Sequence, residues 1–392
     1  MKRILMMLAA FAAIAAAAGE FEMNFKSSYD GTKQSAAGWV PDGSVKSDNP
    51  RPLLVVVHFM GGNRFSAKKF GYYEAAGKRG WLVIAPELHG KNTPGQTSLS
   101  ALQAQHDVID CIGYMKKNYN VDPTRIYIAG RSMGGQLTAM MLAKYPDIFA
   151  AGVAGQGCYD LTVGSHFSAN VEEANRKELG DELFEKKRRS AVNYARNLAY
   201  VPIVMWHGTN DGIVSPRQSE MLNDVIARFQ PHVRPVFWLV GNGHLNANVP
   251  AEWVCSQLEP YQNTSDVGPG CRFYPSLDLI TDEAKSFFYL DVVPADTGKF
   301  AHVTVSLTGD LDRSPSMFGC NSGARNPVTM RIRTENIKEL TVNLDKIPEP
   351  LRPTAFIAAT PGLTPEKFYV AVNGEKRPEN IANAVDDIPS AD

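Results

Sequence analysis

The sequence has no excess of charge of either sign. Its 392 residues include 40 Lys and Arg against 41 Asp and Glu, and the formal net charge is −1. Nucleic-acid-binding domains usually carry a basic excess or a basic stripe. The composition therefore predicts no nucleic-acid partner.

Cysteine is scarce, and the common metal-binding motifs are absent from the sequence. There are five cysteines, with no CxxC pair and no HExxH segment, so neither a clustered zinc site nor another cofactor site is expected. Cys111 lies in an apolar-periodic stretch that is typical of a buried core thiol. Cys255 and Cys271 flank a turn-rich loop, and both a disulfide and two free thiols remain open for them.

Long apolar runs are missing after the first 20 residues, so no membrane span is predicted for the mature chain. At the start, Lys2 and Arg3 precede an apolar run from Ile4 to Ala15 and an alanine-rich exit. This layout is typical of a secretory signal peptide. We expect residues 1–19 to be a signal peptide and the protein to be secreted or periplasmic, with an uncleaved anchor as the alternative.

Short apolar runs alternate with amphipathic stretches through the first two thirds of the chain. Such alternation predicts an α/β fold with a mostly parallel, doubly wound sheet over residues 20–293. A charged helical insertion at 160–200 interrupts the rhythm and is a candidate lid, and its KKRR run (186–189) is expected to be a solvated helix face. The predicted strands are 53–59, 81–88, 125–130, 150–157, 202–208 and 233–241, and the predicted helices are 66–79, 98–119, 133–145 and 215–229.

The pattern changes near Pro294. The segments AHVTVSLTG, VTMRIRTEN, ELTVNLD and KFYVAVNG alternate with period two and are separated by turn residues. They predict a small, separable all-β domain over 294–378. Residues 379–392 are polar and acidic and are expected to form a flexible tail.

Three glycines surround one serine in the segment IAGRSMGGQ (128–136). Gly130 to Gly134 fit G-x-S-x-G, and Ser132 falls between a predicted strand and a predicted helix. In that context the motif forms a tight strand-to-helix turn that exposes the serine hydroxyl beside a helix N-terminus. Ser132 is therefore the candidate catalytic nucleophile.

A serine nucleophile needs a base, and the base needs an acid to orient it. His244, in a loop after the last predicted strand, is the candidate base, and Asp211 in HGTNDGIV is the candidate acid. This choice keeps the chain order Ser, Asp, His. Asp160 is the alternative acid, whereas His58 and His207 precede Asp211 and are expected to be structural.

Two backbone N–H groups are the candidate donors to a developing oxyanion. One belongs to Met133, the residue after the serine, and the other to Met60, in the loop HFMGGN after the first long parallel strand.

At these residues the sequence resembles the α/β-hydrolase superfamily over about residues 20–292. GRSMGGQLTAMMLAKYPDIFAAGVAG and VPIVMWHGTNDGIVSPRQSEMLND resemble the catalytic domain of prolyl oligopeptidase-like hydrolases. FKSSYDGTKQSAAGWVP and HFMGGN are similar to secreted esterases of the polyhydroxybutyrate-depolymerase and feruloyl-esterase type. The resemblance implies Ser132 as nucleophile, Asp211 as acid and His244 as base. Phe59 departs from it, because these families usually have glycine directly after the strand-end histidine.

The expected activity is that of a secreted serine carboxylesterase acting on a small or polymeric ester. An ester needs less protonation of its leaving group than an amide does, which favours esterase over the alternative, a peptidase of the prolyl oligopeptidase-like type. A polyester or acylated polysaccharide is an alternative substrate. An inactive hydrolase domain attached to a polymer-binding β domain is a third hypothesis, which the ordered Ser, Asp and His disfavour.

Overall fold

The computed structural model describes residues 19–42, 49–89, 99–230, 234–265, 268–269, 273–309, 328–358, 368–379 and 381–383. Residues 1–18 of the predicted signal peptide (1–19) and residues 384–392 of the predicted tail (379–392) lie outside this range. The prediction of a flexible tail is wrong at its start, because Ile381 is buried and Ala382–Asn383 pairs with Ala355–Ala358. Within it, no helix combines the length and the apolar character that crossing a membrane requires.

An eight-stranded sheet forms the centre of the N-terminal part. Its strand order is β1-β2-β4-β3-β5-β6-β7-β8, with β1, β2 and β4 antiparallel to one another in turn and the other pairs parallel. The strands are β1 (Gly19–Lys26), β2 (Lys33–Val40), β3 (Arg51–Val57), β4 (Leu82–Pro86), β5 (Val121–Arg131), β6 (Ala151–Gly155), β7 (Ile203–Gly208) and β8 (Phe237–Leu239).

Helices cover both faces of this sheet, which is why the central strands are apolar along their whole length. Strands β4, β6 and β7 are buried at every residue. The predicted alternation of strands and helices is confirmed, and β1 and β2 add an antiparallel start to the sheet. The helices are α1 (Ser66–Lys69), α2 (Tyr72–Gly77), α3 (Leu102–Asn118), α4 (Met133–Lys144), α5 (Ala169–Leu179), α6 (Leu183–Arg188), α7 (Arg217–Ala227) and α8 (Ala251–Leu258).

Helix α4 is the central helix of the molecule, and all of its twelve residues are buried. A helix that is apolar all round must be enclosed on all sides. The sheet lies on one side of it, and the insertion lies against it through the 3-10 turns Ala191–Tyr194 and Asn197–Tyr200. The insertion also contains α5, α6 and the 3-10 turn Gly164–His166.

The expectation that the KKRR run is a solvated face is wrong for its two arginines. Arg188 bonds to Asp282 at 2.8 Å and to Glu185 at 3.0 Å, and Arg189 bonds to Glu178 at 3.2 Å.

The C-terminal part consists of two five-stranded sheets around a second apolar core. The sheet orders are β11-β14-β15-β17-β20 and β12-β13-β16-β18-β19. The further elements are β9 (Thr264–Ser265), β10 (Gly268–Pro269), β11 (Ser276–Thr281), β12 (Lys285–Phe287), β13 (Leu290–Pro294), β14 (Ala301–Thr308), β15 (Thr329–Glu335), β16 (Ile337–Asn343), β17 (Ala355–Ala358), β18 (Phe368–Val372), β19 (Glu375–Pro378), β20 (Ala382–Asn383) and the 3-10 turns Leu344–Lys346 and Glu349–Leu351.

The boundary predicted at Pro294 is wrong. Strand β11 pairs with β14 along its whole length, and β13 pairs with β16, so the C-terminal sheets begin at Ser276. The burial of β11 alternates strictly, but the strand precedes the segment in which the sequence pattern becomes clear. A chain cut near residue 293 would leave β11 without β14 and β13 without β16.

The described cysteines are buried free thiols: Cys111, Cys158 and Cys255. Cys111 lies in the main core, as its position in the sequence predicts. Cys271 and Cys320 lie outside the described residues, so a disulfide between Cys255 and Cys271 stays a prediction.

Candidate active site

Ser132 is the single residue between the end of β5 and the start of α4. Its backbone has φ 56° and ψ −124°, a region that non-glycine residues rarely adopt. Ser132 N–H donates to the carbonyl of Gly155 at 2.8 Å, which fixes the turn against β6. The turn therefore carries backbone strain of the kind that clusters at functional sites.

The glycines of the motif allow the turn to be tight. A Cβ at Gly134 would lie 2.4 Å from the carbonyl oxygen of Val57, and one at Gly135 would lie 2.3 Å from that of Gly155. A Cβ at Gly130 would meet the backbone of Gly134 at 2.6 Å. Side chains at these positions would push α4 away from β3 and β6 and displace Ser132.

Ser132, His244 and Asp211 form one hydrogen-bonded chain. His244 Nε2 lies 2.8 Å from Ser132 Oγ, and His244 Nδ1 lies 2.6 Å from Asp211 Oδ2. Since a carboxylate only accepts, Nδ1 carries the ring proton and Nε2 is free to accept the hydroxyl proton. The structure thus brings together the three residues that the sequence nominates.

Several groups besides His244 hydrogen-bond to the Asp211 carboxylate. Its Oδ1 accepts the N–H groups of Ile213 and Val214, both at 2.9 Å. Burial alone raises the pKa of Asp211. The hydrogen bonds from His207 and His244, the attraction of His244 and the Val214 N–H outweigh burial, so the pKa lies well below its usual value. Asp211 is therefore a carboxylate at neutral pH.

His207 is a buried neighbour of the acid. Its Nε2 faces two acceptors, the Val214 carbonyl at 3.0 Å and Asp211 Oδ2 at 3.1 Å, and must carry the proton. Its Nδ1 accepts the hydroxyl of Ser219 at 2.8 Å. The structural role predicted for His207 agrees with these bonds, but its contact with Asp211 was not foreseen.

Gln156 is a residue that the sequence analysis missed. Its side-chain Nε2 donates to the carbonyl of His244 at 2.7 Å, and its backbone N–H donates to the carbonyl of Trp206 at 2.8 Å. Gln156 thereby ties the loop of His244 to the end of β6. A polar residue between two glycines, at the end of the predicted strand 150–157, was the available signal.

The two rejected alternatives lie in other bonding networks. Asp160 Oδ1 accepts the backbone N–H of Thr162 at 2.8 Å and its hydroxyl at 2.6 Å, with no hydrogen bond to His244 among the described residues. His58 is buried, with Nδ1 2.9 Å from the Phe59 carbonyl and Nε2 3.0 Å from the Glu87 carbonyl. The hydrogen bonds of Asp160 and His58 among the described residues are to groups outside the triad.

The loop that carries Met60 packs on the start of α4. Met60 contacts the apolar cluster that includes Met133. The Phe59 ring packs edge-on against Phe70, with centroids 5.8 Å apart, and the Arg131 guanidinium lies 5.1 Å from the Phe59 centroid. The phenylalanine that departs from the family pattern is thus stacked on the residue before Ser132, and the stack holds the loop in place.

An apolar cluster lines the site beside Ser132. It combines Met133 of α4 with residues of the insertion, of the loop that follows Asp211 (the acid loop) and of the segments before α3 and after β6. Its members are Leu99, Met133, Cys158, Leu161, Leu179 and Val214, with Met60, Phe167 and Ile213 partly buried against it. Two backbone hydrogen bonds join the insertion to the acid loop. Ser168 N–H donates to the Ile213 carbonyl at 2.9 Å, and Ser215 N–H donates to the His166 carbonyl at 2.8 Å. These bonds place the insertion over the apolar side of the site.

Cys158 is the other nucleophilic side chain in this cluster. Burial, with a smaller contribution from the Asp211 charge, raises the pKa of Cys158 to about 12. A thiol must ionise to react, so Cys158 is inert at neutral pH. Ser132, with His244 beside it, is left as the candidate nucleophile.

Parts of this chain are similar in sequence to known proteins. A family model described as the prolyl oligopeptidase family matches residues 70–248. An acetylxylan esterase of Coprinopsis cinerea is 29% identical over 176 residues, which cover 41% of this chain and 46% of that protein. A feruloyl esterase B of Neurospora crassa is 27% identical over 194 residues, covering 46% and 64%. The chain therefore spans less than two thirds of the length of these relatives.

Partial matches among solved structures include two hydrolases. A puromycin-hydrolyzing peptidase of Mycobacterium tuberculosis is 21% identical with a TM-score of 0.48, and the match covers 62% of this chain and 38% of that one. An S-formylglutathione hydrolase of Agrobacterium tumefaciens is 16% identical with a TM-score of 0.47, and the match covers 62% and 94%.

Proposed function

We propose that this chain is a serine hydrolase with an α/β-hydrolase fold, and that it hydrolyses carboxylic esters through an acyl-enzyme on Ser132. The observation that carries the proposal is the chain Ser132–His244–Asp211, with links of 2.8 and 2.6 Å, on a strained strand-to-helix turn. The role of each residue follows from that geometry.

In the first half-reaction Ser132 Oγ attacks the ester carbonyl carbon while His244 Nε2 takes the hydroxyl proton. Asp211 stabilises the resulting imidazolium. The Met60 and Met133 N–H groups donate to the carbonyl oxygen as it becomes negative; losing one such donor typically costs about 3–4 kcal/mol. His244 then returns its proton to the leaving alcohol as the carbon–oxygen bond breaks.

In the second half-reaction water attacks the acyl carbonyl carbon. His244 takes a proton from the water and passes it to Ser132 Oγ as the acyl group leaves as a carboxylic acid. The apolar cluster around Met133 would hold the acyl group. An acyl chain there would be covered by the insertion, so we propose that residues 160–200 act as a lid over the acyl group.

We propose acylated polysaccharides as the substrate class, because the acetylxylan esterase relative is named for such an ester. The test is a substrate panel of p-nitrophenyl esters of increasing acyl length, acetylated xylan, methyl ferulate and peptide anilides. We expect the esters to be cleaved and the anilides to be cleaved far more slowly. Anilide cleavage at rates matching the esters would favour the peptidase of prolyl oligopeptidase-like type.

The two histidines beside Asp211 should differ sharply on substitution. His244→Ala is expected to lower kcat by about as much as loss of the nucleophile, because members of a triad act as a unit. His207→Ala should lower kcat by about tenfold at most, since His207 acts only through Asp211. Steady-state kinetics of both variants on one p-nitrophenyl ester, with circular dichroism to verify folding, make the comparison. Equal losses in two folded proteins would show that His244 is not the sole base.

A further inference from the structure

Two consecutive residues at the end of β6, Gly155 and Gln156, are bonded to all three segments that carry the triad. The Gly155 carbonyl accepts the N–H of Ser132 at 2.8 Å. The Gln156 side-chain amide donates to the carbonyl of His244 at 2.7 Å. The Gln156 backbone N–H donates at 2.8 Å to the carbonyl of Trp206 on β7, the strand that leads to the triad aspartate. The end of β6 therefore joins the segments of the nucleophile, the base and the acid.

The backbone of His244 depends on this one side chain for its position. Among the described residues, the bond from Gln156 is the only hydrogen bond to the His244 backbone. Before the histidine, the loop is held to the acid side, where Asn210 N–H donates to the Asn242 carbonyl at 2.9 Å. After it the chain faces solvent, and Leu245 is 79% exposed.

Gln156 has a backbone conformation that favours glycine. Its φ is 38°, in the left-handed region that residues with a side chain rarely adopt. Its neighbours are glycines for lack of space, because a Cβ at Gly155 would lie 2.2 Å from the Trp206 ring and one at Gly157 would lie 2.6 Å from the Gln136 nitrogen. A third glycine at position 156 would relieve the strain. Strain that is retained in this way points to a task for the side chain.

Packing does not explain a glutamine at this position. Gln156 is 0% exposed, and its Oε1 has no hydrogen-bond partner among the residues that the structure describes. An apolar side chain of similar length would fill the space without burying an unpaired oxygen. The bond to the His244 carbonyl does explain the amide. Since Gln156 is fully buried, it acts on the reaction only through His244.

We propose that Gln156 is a positioning residue that holds the His244 ring at the distance required for proton transfer from Ser132. A general base must lie within about 2.6–3.2 Å of the atom whose proton it takes. His244 Nε2 lies 2.8 Å from Ser132 Oγ. Without the bond from Gln156 the His244 backbone can shift, and a displacement of about 1 Å costs up to about 100-fold in rate. The inference rests on the proposed catalytic roles of Ser132 and His244.

Gln156→Met tests this role, because methionine has a similar length and lacks the donor. We expect kcat for p-nitrophenyl acetate to fall by about 10- to 100-fold. KM should stay within about twofold of the wild-type value, because both half-reactions use His244 and the buried side chain does not touch substrate. Steady-state kinetics measure both constants, and thermal melting on the same preparations measures the change in stability.

Gln105→Met is the matched control. Gln105 is 1% exposed, its Nε2 donates to the Ser100 carbonyl at 2.7 Å, and its Oε1 has no partner among the described residues, so its bonding is the same as that of Gln156. The control should shift the melting temperature as much as Gln156→Met does and keep kcat within about twofold of wild type. An equal fall of kcat in the two variants would overturn the positioning role, and so would wild-type kcat in a folded Gln156→Met protein.

Gln156→Gly is the second variant, for which poor folding is not expected. Glycine adopts φ 38° without strain and lacks the amide. Its kcat should fall as in Gln156→Met, although its backbone is relaxed. A glycine variant with wild-type kcat would overturn the positioning role.

Labelling of Ser132 by a fluorophosphonate separates this inference from the esterase function. The reagent reports how well His244 activates the serine and needs no ester substrate. The second-order rate constant of labelling should fall by about 10- to 100-fold in Gln156→Met and Gln156→Gly and should not change in Gln105→Met. Labelling of the wild type without hydrolysis of any ester would overturn the esterase function and leave the positioning role to be decided by these rate constants. Wild-type rates of labelling in both Gln156 variants would overturn the positioning role alone.

Discussion

Replacing Ser132 by alanine is expected to lower kcat for p-nitrophenyl acetate by a factor of about 10³ to 10⁶, the range found when a triad nucleophile is removed. The change deletes Ser132 Oγ, which is hydrogen-bonded to His244 Nε2. Alanine and serine tolerate φ 56° about equally, so the thermal midpoint should stay at the wild-type value. Steady-state hydrolysis and circular dichroism melting measure the two quantities on the same preparations.

The matched control is Ser165→Ala, an exposed serine in the insertion. It removes the same atom and should leave kcat unchanged. Ser132→Gly provides a second check, because glycine adopts a positive φ without strain. That variant should be as inactive as Ser132→Ala. A folded Ser132→Ala protein with more than about a thousandth of wild-type kcat would exclude Ser132 as the nucleophile.

The sequence predicts the site well where the chemistry depends on short segments. A strand-to-helix turn is a local structure, so the spacing of Gly130, Ser132 and Gly134 is enough to predict it. Asp211 and His244 follow from chain order and from their positions after predicted strands. Parallel strands end at one edge of the sheet, so residues that follow them must lie close together.

The contacts that support the site could not be derived in this way. The bond from Gln156 to His244 joins residues 88 positions apart, and no spacing rule selects that pair. His207 was correctly interpreted as structural, yet its hydrogen bond to Asp211 depends on how the acid loop folds back. Such contacts depend on the direction in which each side chain points, and the hydrophobic pattern of a single sequence does not predict that direction.

The C-terminal boundary shows how a local pattern can mislead. Strand β11 alternates buried and exposed residues, but it directly follows the hydrolase segment, and the short turn to β12 contains Asp282 and Glu283. Acidic residues after a strand indicate a solvated turn. In the folded protein Asp282 is 1% exposed. It is buried against Lys144 of α4, the helix that begins at Met133, and this contact joins the two parts of the chain.

Lys144, the last residue of α4, is the partner of this turn. It is 1% exposed and lies 2.7 Å from Asp282 and 2.8 Å from Glu283. Arg188 of the insertion binds Asp282 from the other side at 2.8 Å. Asn197 adds a pair of hydrogen bonds to the backbone of Ile280, at 2.8 and 2.9 Å. The C-terminal sheets therefore hold both the nucleophile helix and the insertion.

Asp282→Ala is expected to lower the free energy of unfolding by about 3 kcal/mol, because it leaves the buried Lys144 with one carboxylate fewer. Replacing both partners, as in Lys144→Met with Asp282→Leu, should recover most of that loss, since an apolar pair of similar volume has no charge to desolvate. Asp296→Asn, in the exposed ion pair with Lys299, is the control and should not shift the urea midpoint. A double variant no more stable than Asp282→Ala would contradict the ion-pair explanation.

Acid should reproduce part of this effect in the wild-type protein. Burial raises the pKa of Asp282, but attraction to Lys144 and Arg188 outweighs both burial and the repulsion of Glu283, so the pKa lies below its ordinary value. A carboxylate with a lowered folded-state pKa stabilises the fold above its unfolded-state pKa of about 4 and loses that contribution as the pH falls further. The urea midpoint of the wild type should therefore fall more steeply below about pH 4 than that of Asp282→Ala. Parallel acid limbs in the two proteins would show that Asp282 is not held as a carboxylate by Lys144, and would remove the electrostatic reason for treating the C-terminal sheets as part of the catalytic unit.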